Sequence, residues 1–217
     1  NVVGTESEPA ADLLLKTIYR CAKAIRAAAD RLLDVSLESM DSSPGRAART
    51  LAEVQEETTK VTGKLAFSDA ARKNLSANSI LNLLRQTQIL DCGLHWSARA
   101  LIQETVPRLF TSQACSAPAN IDLFMDLITH TGPRGDDLER LHAFGILERM
   151  FTDFKRVTGL VQRDLYHVYT VDAHLIATAR RALMVLAGDS PDDPSDLVAT
   201  AARVVRQHVL VVAALFH

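Results

Sequence analysis

The sequence predicts an all-α protein, built as a multi-helix orthogonal bundle. Apolar residues recur at spacings of three and four along most of the 217-residue chain. Turn-forming residues divide the chain into segments of helical length, and alternating strand-like patterns are scarce. The hydrophobic content of 47% is enough for a substantial core, so we expect a folded globular protein.

The first predicted helix spans about residues 11–40. This stretch contains no Gly or Pro, and its apolar stripe has helical spacing; the stripe consists of Leu14, Ile18, Cys21, Ile25, Ala28 and Leu32. A turn is predicted at 41–46, where Pro44 and Gly45 interrupt helical hydrogen bonding and end the helix. The polar segment that follows, to about Gly63, is interpreted as helix or mobile linker.

The middle of the chain is predicted to form short helices packed on one another. Segments 76–93, 95–110 and 118–132 each carry an apolar stripe bounded by Pro or Gly. Ser76 is a candidate N-cap for the first of them. The segment 135–159 is interpreted as a helix, a glycine hinge and a second helix.

Two further helices are predicted at about 167–187 and 195–217, separated by "GDSPDDPSD". The run "VLVVAALF" at 209–216 is rich in β-branched residues that also suit a buried strand. Its continuity with the preceding helical pattern favours helix.

Charge and cysteine content restrict the class of protein. The formal net charge is −2, without long runs of either sign, which indicates neither a nucleic acid nor an anionic membrane as partner. No stretch reaches the ~18 apolar residues of a membrane span. Cys21, Cys92 and Cys115 are widely separated, which predicts reduced, buried thiols and a cytoplasmic location. The chain begins with Asn, so we expect a piece of a longer protein.

Two histidines stand in the polar stretch "DLYHVYTVDAHL" at 164–175. On a continuous helix over 167–187, His167 and His174 would lie on the same flank, ~10.5 Å apart along the axis. That separation disfavours their binding one metal ion between them. The alternative is that both are half-buried boundary residues, hydrogen-bonded to neighbouring helices.

The other histidines receive different expectations. His217 follows eight apolar residues that should be buried nearly all round, where binding a metal would offset the cost of desolvating the imidazole. A solvated chain end is the alternative for His217. His95, His130 and His142 lie near turns, which favours surface or capping positions. Motifs for triad hydrolases, phosphate-binding loops and zinc peptidases are absent from the sequence.

Two segments together resemble a known family. "GLVQRDLYHVYTVDAHLI" at 159–176 and "LVVAALFH" at 210–217 are similar to the start of the HD hydrolase domain in bifunctional PII uridylyltransferase/uridylyl-removing enzymes. "ERLHAFGILERMFTDFKRVTG" at 139–159 resembles the family's connector before that domain. Residues 64–102 and 13–33 resemble its central helical region more loosely.

The resemblance implies a division of the chain into two parts. Residues 1–160 would be a helical connector that follows an absent nucleotidyltransferase domain. Residues 161–217 would be the first helices of an incomplete HD domain, which makes the C-terminal end HD-domain-like. The family's glutamine-sensing ACT domains are also absent from this chain.

The resemblance also implies a metal site. His167 and His217 would be its first two ligands, and two aspartates beyond His217 would complete it. Asp172 and His174 are expected to support the site or to pack beside it. The metal, Mg or Mn, would activate water to remove uridylyl groups from PII. In the opposite reaction UTP would donate the uridylyl groups to PII. Glutamine would regulate the enzyme. No catalytic residue is assigned within this chain, and the fragment alone is expected to be inactive.

Two other functions remain compatible with the sequence. The chain could be a non-catalytic helical interaction module in which the histidines only pack. It could also belong to another HD-type phosphohydrolase that acts on a different substrate.

Overall fold

A computed structural model describes residues 10–40, 53–55, 57–130, 135–161, 170–188, 195–201, 203–204 and 206–217. Most of the described residues are helical, which confirms the predicted all-α class. The helices are α1 Ala10–Met40, α2 Asp69–Lys73, α3 Ala77–Ile89, α4 Trp96–Leu109, α5 Ser112–Cys115, α6 Pro118–Thr129, α7 Asp137–Ala143, α8 Leu147–Met150, α9 Phe154–Val157, α10 Val171–Ala187, α11 Ser195–Ala201 and α12 Gln207–Leu215. The strands are β1 Glu53–Gln55, β2 Thr58–Val61 and β3 Lys64–Phe67.

The long helix α1 confirms the predicted helix over 11–40, but much of its apolar stripe is exposed. Leu14, Ile18, Ile25 and Leu32 each expose more than half of their surface. The prediction of buried thiols holds for Cys92 and is wrong for Cys21, which is exposed on α1. Burial raises the pKa of the Cys115 thiol, although Arg149 lowers it, so this half-buried group stays protonated at neutral pH.

An antiparallel sheet in the order β1-β2-β3 corrects the interpretation as helix or linker for the described residues before Gly63. The predicted turn at 41–46 and the start of the polar segment, up to residue 52, lie outside the described residues. Thr62 and Gly63 form a two-residue turn with φ values of +49° and +80°. Positive φ at both turn positions matches the twist of a tight hairpin, which explains why β2 and β3 pair here. The buried residues of β3 then anchor the sheet on the helical core; they are Leu65, Ala66 and Phe67.

The predicted starts of several helices are confirmed by their caps. The Ser76 hydroxyl accepts a hydrogen bond from the Ser79 amide at 3.1 Å, and Pro118 occupies the first turn of α6. His95 caps α4, because its Nδ1 accepts from the Ser97 amide at 3.3 Å, which confirms the predicted capping role for that histidine. Local capping therefore fixes where the central helices begin.

The hydrophobic core lies between α3, α4 and α6 and continues to α10 and α12. Phe67, Phe124 and Phe154 are its largest fully buried side chains. Helix α12 packs on α10 and also contacts α6. The C-terminal helices are thus part of the same core as the central ones. Within the described ranges, no helix has the length and apolar character needed to cross a lipid bilayer.

The C-terminal third departs from the predicted helix boundaries. The expected helix-hinge-helix at 135–159 consists of α7, α8 and α9, with Gly145 at φ +72° after α7. The helix predicted from 167 begins at Val171, because Thr170 has an extended backbone with φ −66° and ψ 156°. The single helix predicted over 195–217 is described as α11 and α12, and helix is confirmed for the β-branched run.

Candidate functional site

The structure brings together His174 and His217. His174 lies in the first turns of α10, and His217 follows the end of α12, which packs against α10. Their ring centroids are 5.3 Å apart and the ring planes are inclined by 50°. Both residues are exposed, so a ligand could approach the pair from solvent.

A backbone hydrogen bond orients the His217 ring. Its Nδ1 lies 3.1 Å from the carbonyl oxygen of Ala214, an acceptor that requires Nδ1 to carry the proton. The lone pair is then on Nε2, which is the usual arrangement when a histidine binds a metal.

The expectation that His217 follows a fully buried segment is wrong, since Val209 and Leu210 are 50% and 38% exposed.

The His174–His217 pair has a spacing that fits two ligands of one metal ion. With metal–nitrogen bonds of ~2.1 Å, two imidazole centroids would be separated by about 4.6–5.3 Å for ligand angles between 90° and 109°. The observed centroid separation of 5.3 Å falls at the upper end of this range. In the part of the chain that the structure describes, no group of three or more His, Cys, Asp or Glu side chains is placed to hold a metal. The pair can therefore supply two corners of a site.

His167 lies outside the described residues, and its role as a ligand stays a prediction. The prediction of one continuous helix over 167–187 is wrong, because Thr170 has an extended backbone and α10 begins at Val171. Helical spacing cannot be counted across Thr170.

Asp172 and His142 form a second cluster beside the pair. The Oδ2 atom of Asp172, in the first turn of α10, lies 3.1 Å from His142 Nε2. The same oxygen accepts a hydrogen bond from the Gly159 amide at 3.1 Å. On its other side, His142 Nδ1 lies 2.6 Å from Glu148 Oε1. The His142 ring therefore lies between a carboxylate of α8 and a carboxylate of α10.

His142 is the residue that the sequence fails to single out. A surface or capping position is predicted for it, whereas its side chain is only 14% exposed and connects α7, α8 and α10. Asp172, expected to support the metal ligands or pack beside them, contacts His142 and Gly159. No local motif announces this pairing, because α8 and α9 intervene between the two partners in the chain.

The environment of Asp172 favours its charged form. Burial raises the pKa of this carboxyl group, but hydrogen bonds from His142, Thr170 and the Gly159 amide outweigh burial and lower the pKa to about 2. The N-terminal turn of α10 also favours a negative charge at this position. Asp172 is therefore ionised throughout the neutral range.

We expect the lowered pKa of Asp172 to make stability depend on pH. The shift from 3.8 to about 2 corresponds to ~2 kcal/mol of unfolding free energy, present above about pH 4 and lost as the pH falls towards 2. Urea denaturation of wild type and Asp172→Asn should show a stability gap that shrinks by about that amount between pH 6 and pH 2. Asp122→Asn, at an exposed position on α6, is the matched control. A gap that does not change with pH would contradict the assignment.

Comparison with known proteins identifies relatives of one kind. Over the whole chain, the sequence is 29% identical to a bifunctional uridylyltransferase/uridylyl-removing enzyme of Bordetella avium. It is 27% identical to the enzyme of the same name from Hydrogenovibrio crunogenus over 70% of the chain, and 35% identical to that of Bordetella pertussis over 46%. These matches confirm the resemblance to bifunctional uridylyltransferase/uridylyl-removing enzymes.

The similarity covers a limited part of the relatives. The chain spans 25% of the Bordetella avium enzyme and 18% of the Hydrogenovibrio crunogenus enzyme. No protein-family model matches the chain. No solved structure matches it either.

Proposed function

We propose that this chain contributes to a bifunctional enzyme that uridylylates the PII signal-transduction protein from UTP and removes the uridylyl group by metal-dependent hydrolysis. The observation that carries the hydrolytic part is the His174–His217 pair, with a ring separation of 5.3 Å and Nδ1 of His217 directed at a backbone carbonyl. The names of the relatives support the two activities.

In this proposal His174 and His217 hold a divalent metal ion, Mg or Mn, together with aspartates that the resemblance places after His217. When bound, such an ion lowers the pKa of water and stabilises negative charge on a phosphoryl oxygen. His217 keeps its ring fixed through the Ala214 carbonyl, and His174 is fixed by its position in the first turns of α10. His167 remains a further predicted ligand.

The reaction proposed for this site is hydrolysis of a phosphodiester. The bond between phosphorus and the tyrosine oxygen of uridylyl-PII breaks, and water supplies a hydroxyl group to the released UMP and a proton to the tyrosine. The exposure of both histidines supports this use, since a protein substrate must reach the site from outside. Glutamine sensing and a cytoplasmic location belong to the same proposal, and the free cysteines support the latter.

An assay of the full-length enzyme on uridylylated PII tests the proposal. We expect UMP release that requires Mn²⁺ or Mg²⁺ and stops when EDTA removes the metal. Binding of PII without UMP release would favour an interaction module instead. Hydrolysis of small nucleotides with no activity on uridylyl-PII would favour another HD-type phosphohydrolase.

A further inference from the structure

The short helices α7, α8 and α9 contact both elements that carry the paired histidines. We call residues 137–160 the connector segment. On one side, His142 lies 3.1 Å from Asp172, two residues before His174. On the other side, Phe154 packs edge-to-face against Phe216, the residue before His217, with ring centroids 6.2 Å apart.

A single aromatic ring joins these two sides. Phe154 is fully buried, and its ring also makes an edge-to-face contact with the His142 ring at 6.0 Å. Phe151 adds a second edge-to-face contact to Phe216 at 5.3 Å. The position of the His142 ring and the position of Phe216 are therefore set against the same side chain.

Two hydrogen bonds, in addition to the His142–Asp172 contact, hold the first turn of α10 against the connector segment. Gly159 donates its amide to Asp172 at 3.1 Å, and the Val171 amide donates to the Leu160 carbonyl at 2.8 Å. The α10 backbone is continuous from Asp172 to His174. Fixing Asp172 therefore also fixes the position of His174 along the helix axis and its rotation about that axis. The imidazole of His142 contacts α8 through Glu148 and α10 through Asp172.

We propose that the connector segment sets the separation of His174 and His217, with His142 as the positioning residue for His174 and Phe154 for His217. This inference rests on the proposed metal function only for its consequence in metal binding. The positioning itself is the separation of the His174 and His217 rings, and it applies to the protein without metal. Replacement of His142 by leucine would keep much of the packing against Phe154 while removing both contacts to carboxylates, so α10 could move relative to α12.

The test measures ring proximity in the 217-residue chain and, separately, metal binding in the full-length enzyme, which also carries the residues that follow His217. With histidine-labelled protein, wild type should give a nuclear Overhauser effect between the His174 and His217 rings, and His142→Leu should lose it. In the full-length enzyme with the same substitution, Mn²⁺ affinity, measured by electron paramagnetic resonance, should fall about tenfold, within the range seen when groups that orient metal ligands are removed. His130→Leu, at an exposed histidine that ends α6, should leave both values unchanged.

Each result decides one of the two proposals. An unchanged ring contact and unchanged Mn²⁺ affinity in folded His142→Leu would overturn the positioning role. Absence of Mn²⁺ binding in the wild-type full-length enzyme would overturn the metal function, whereas the ring contact would still decide the positioning. His142→Gln keeps one donor group and should restore part of the ring contact; it also carries the test if His142→Leu does not fold.

Discussion

Replacing His217 with alanine is expected to reduce uridylyl removal by the full-length enzyme at least about a hundredfold. Loss of a group that merely orients a metal ligand costs 10–100-fold in metal affinity or activity, so loss of a ligand should reach the upper end of that range or exceed it. The measurement is the rate of UMP release from uridylyl-PII at saturating Mn²⁺. His174→Ala should have a similar effect, and the double variant should lose little more, because both rings serve one ion.

His208→Ala is the matched control for His217→Ala. His208 is an exposed histidine at the start of α12, and its removal should leave the rate of UMP release unchanged. Because the His217 ring is exposed as well, its truncation should leave the unfolding free energy within about 0.5 kcal/mol of wild type. A normal rate in His217→Ala would exclude this histidine from the site.

Phe154→Ala is expected to be the most destabilising of these substitutions, with a loss of about 3–5 kcal/mol in the free energy of unfolding. Phe154 is fully buried and contacts the rings of His142 and Phe216, so truncation leaves a cavity and frees two neighbours. Urea denaturation followed by circular dichroism measures the loss.

Ile89→Ala provides the comparison for Phe154→Ala. Ile89 is 66% exposed at the end of α3, and its truncation should change the unfolding free energy by less than about 0.5 kcal/mol. Phe154→Leu should fall between the two, since leucine fills part of the cavity. A loss below about 1 kcal/mol in Phe154→Ala would contradict the buried position of Phe154 in the core.

The parts of the fold that depend on local interactions can be predicted from the sequence. Ser76 and Pro118 mark helix starts because a cap needs only a few neighbouring residues. The hairpin at Thr62 and Gly63 also has a local signal, because a threonine-glycine pair stands between two short strand-like runs. Strands of four residues give too weak a periodic pattern to stand out from the polar segment around them.

The candidate site is less predictable for a different reason. Periodicity predicts one helix across Thr170, yet the chain is extended there, and contacts distant in sequence, such as those of Asp172 with His142 and Gly159, hold the start of α10. The resemblance points to the two histidine-bearing segments, and its assignment of metal ligands there stays a prediction. The pairing of His174 with His217 depends on how α10 packs on α12, which no local pattern encodes.

The aromatic contacts of Phe216 have a consequence for the order of folding. The β2–β3 hairpin closes through a two-residue turn, and hairpins of this kind form in about 1–10 μs. Phe216 meets Phe151 and Phe154 across a long stretch of chain, so this contact must first overcome a larger loop-closure entropy. We therefore expect the sheet to form early. The rings of His174 and His217 should come together only after α7, α8 and α9 have folded.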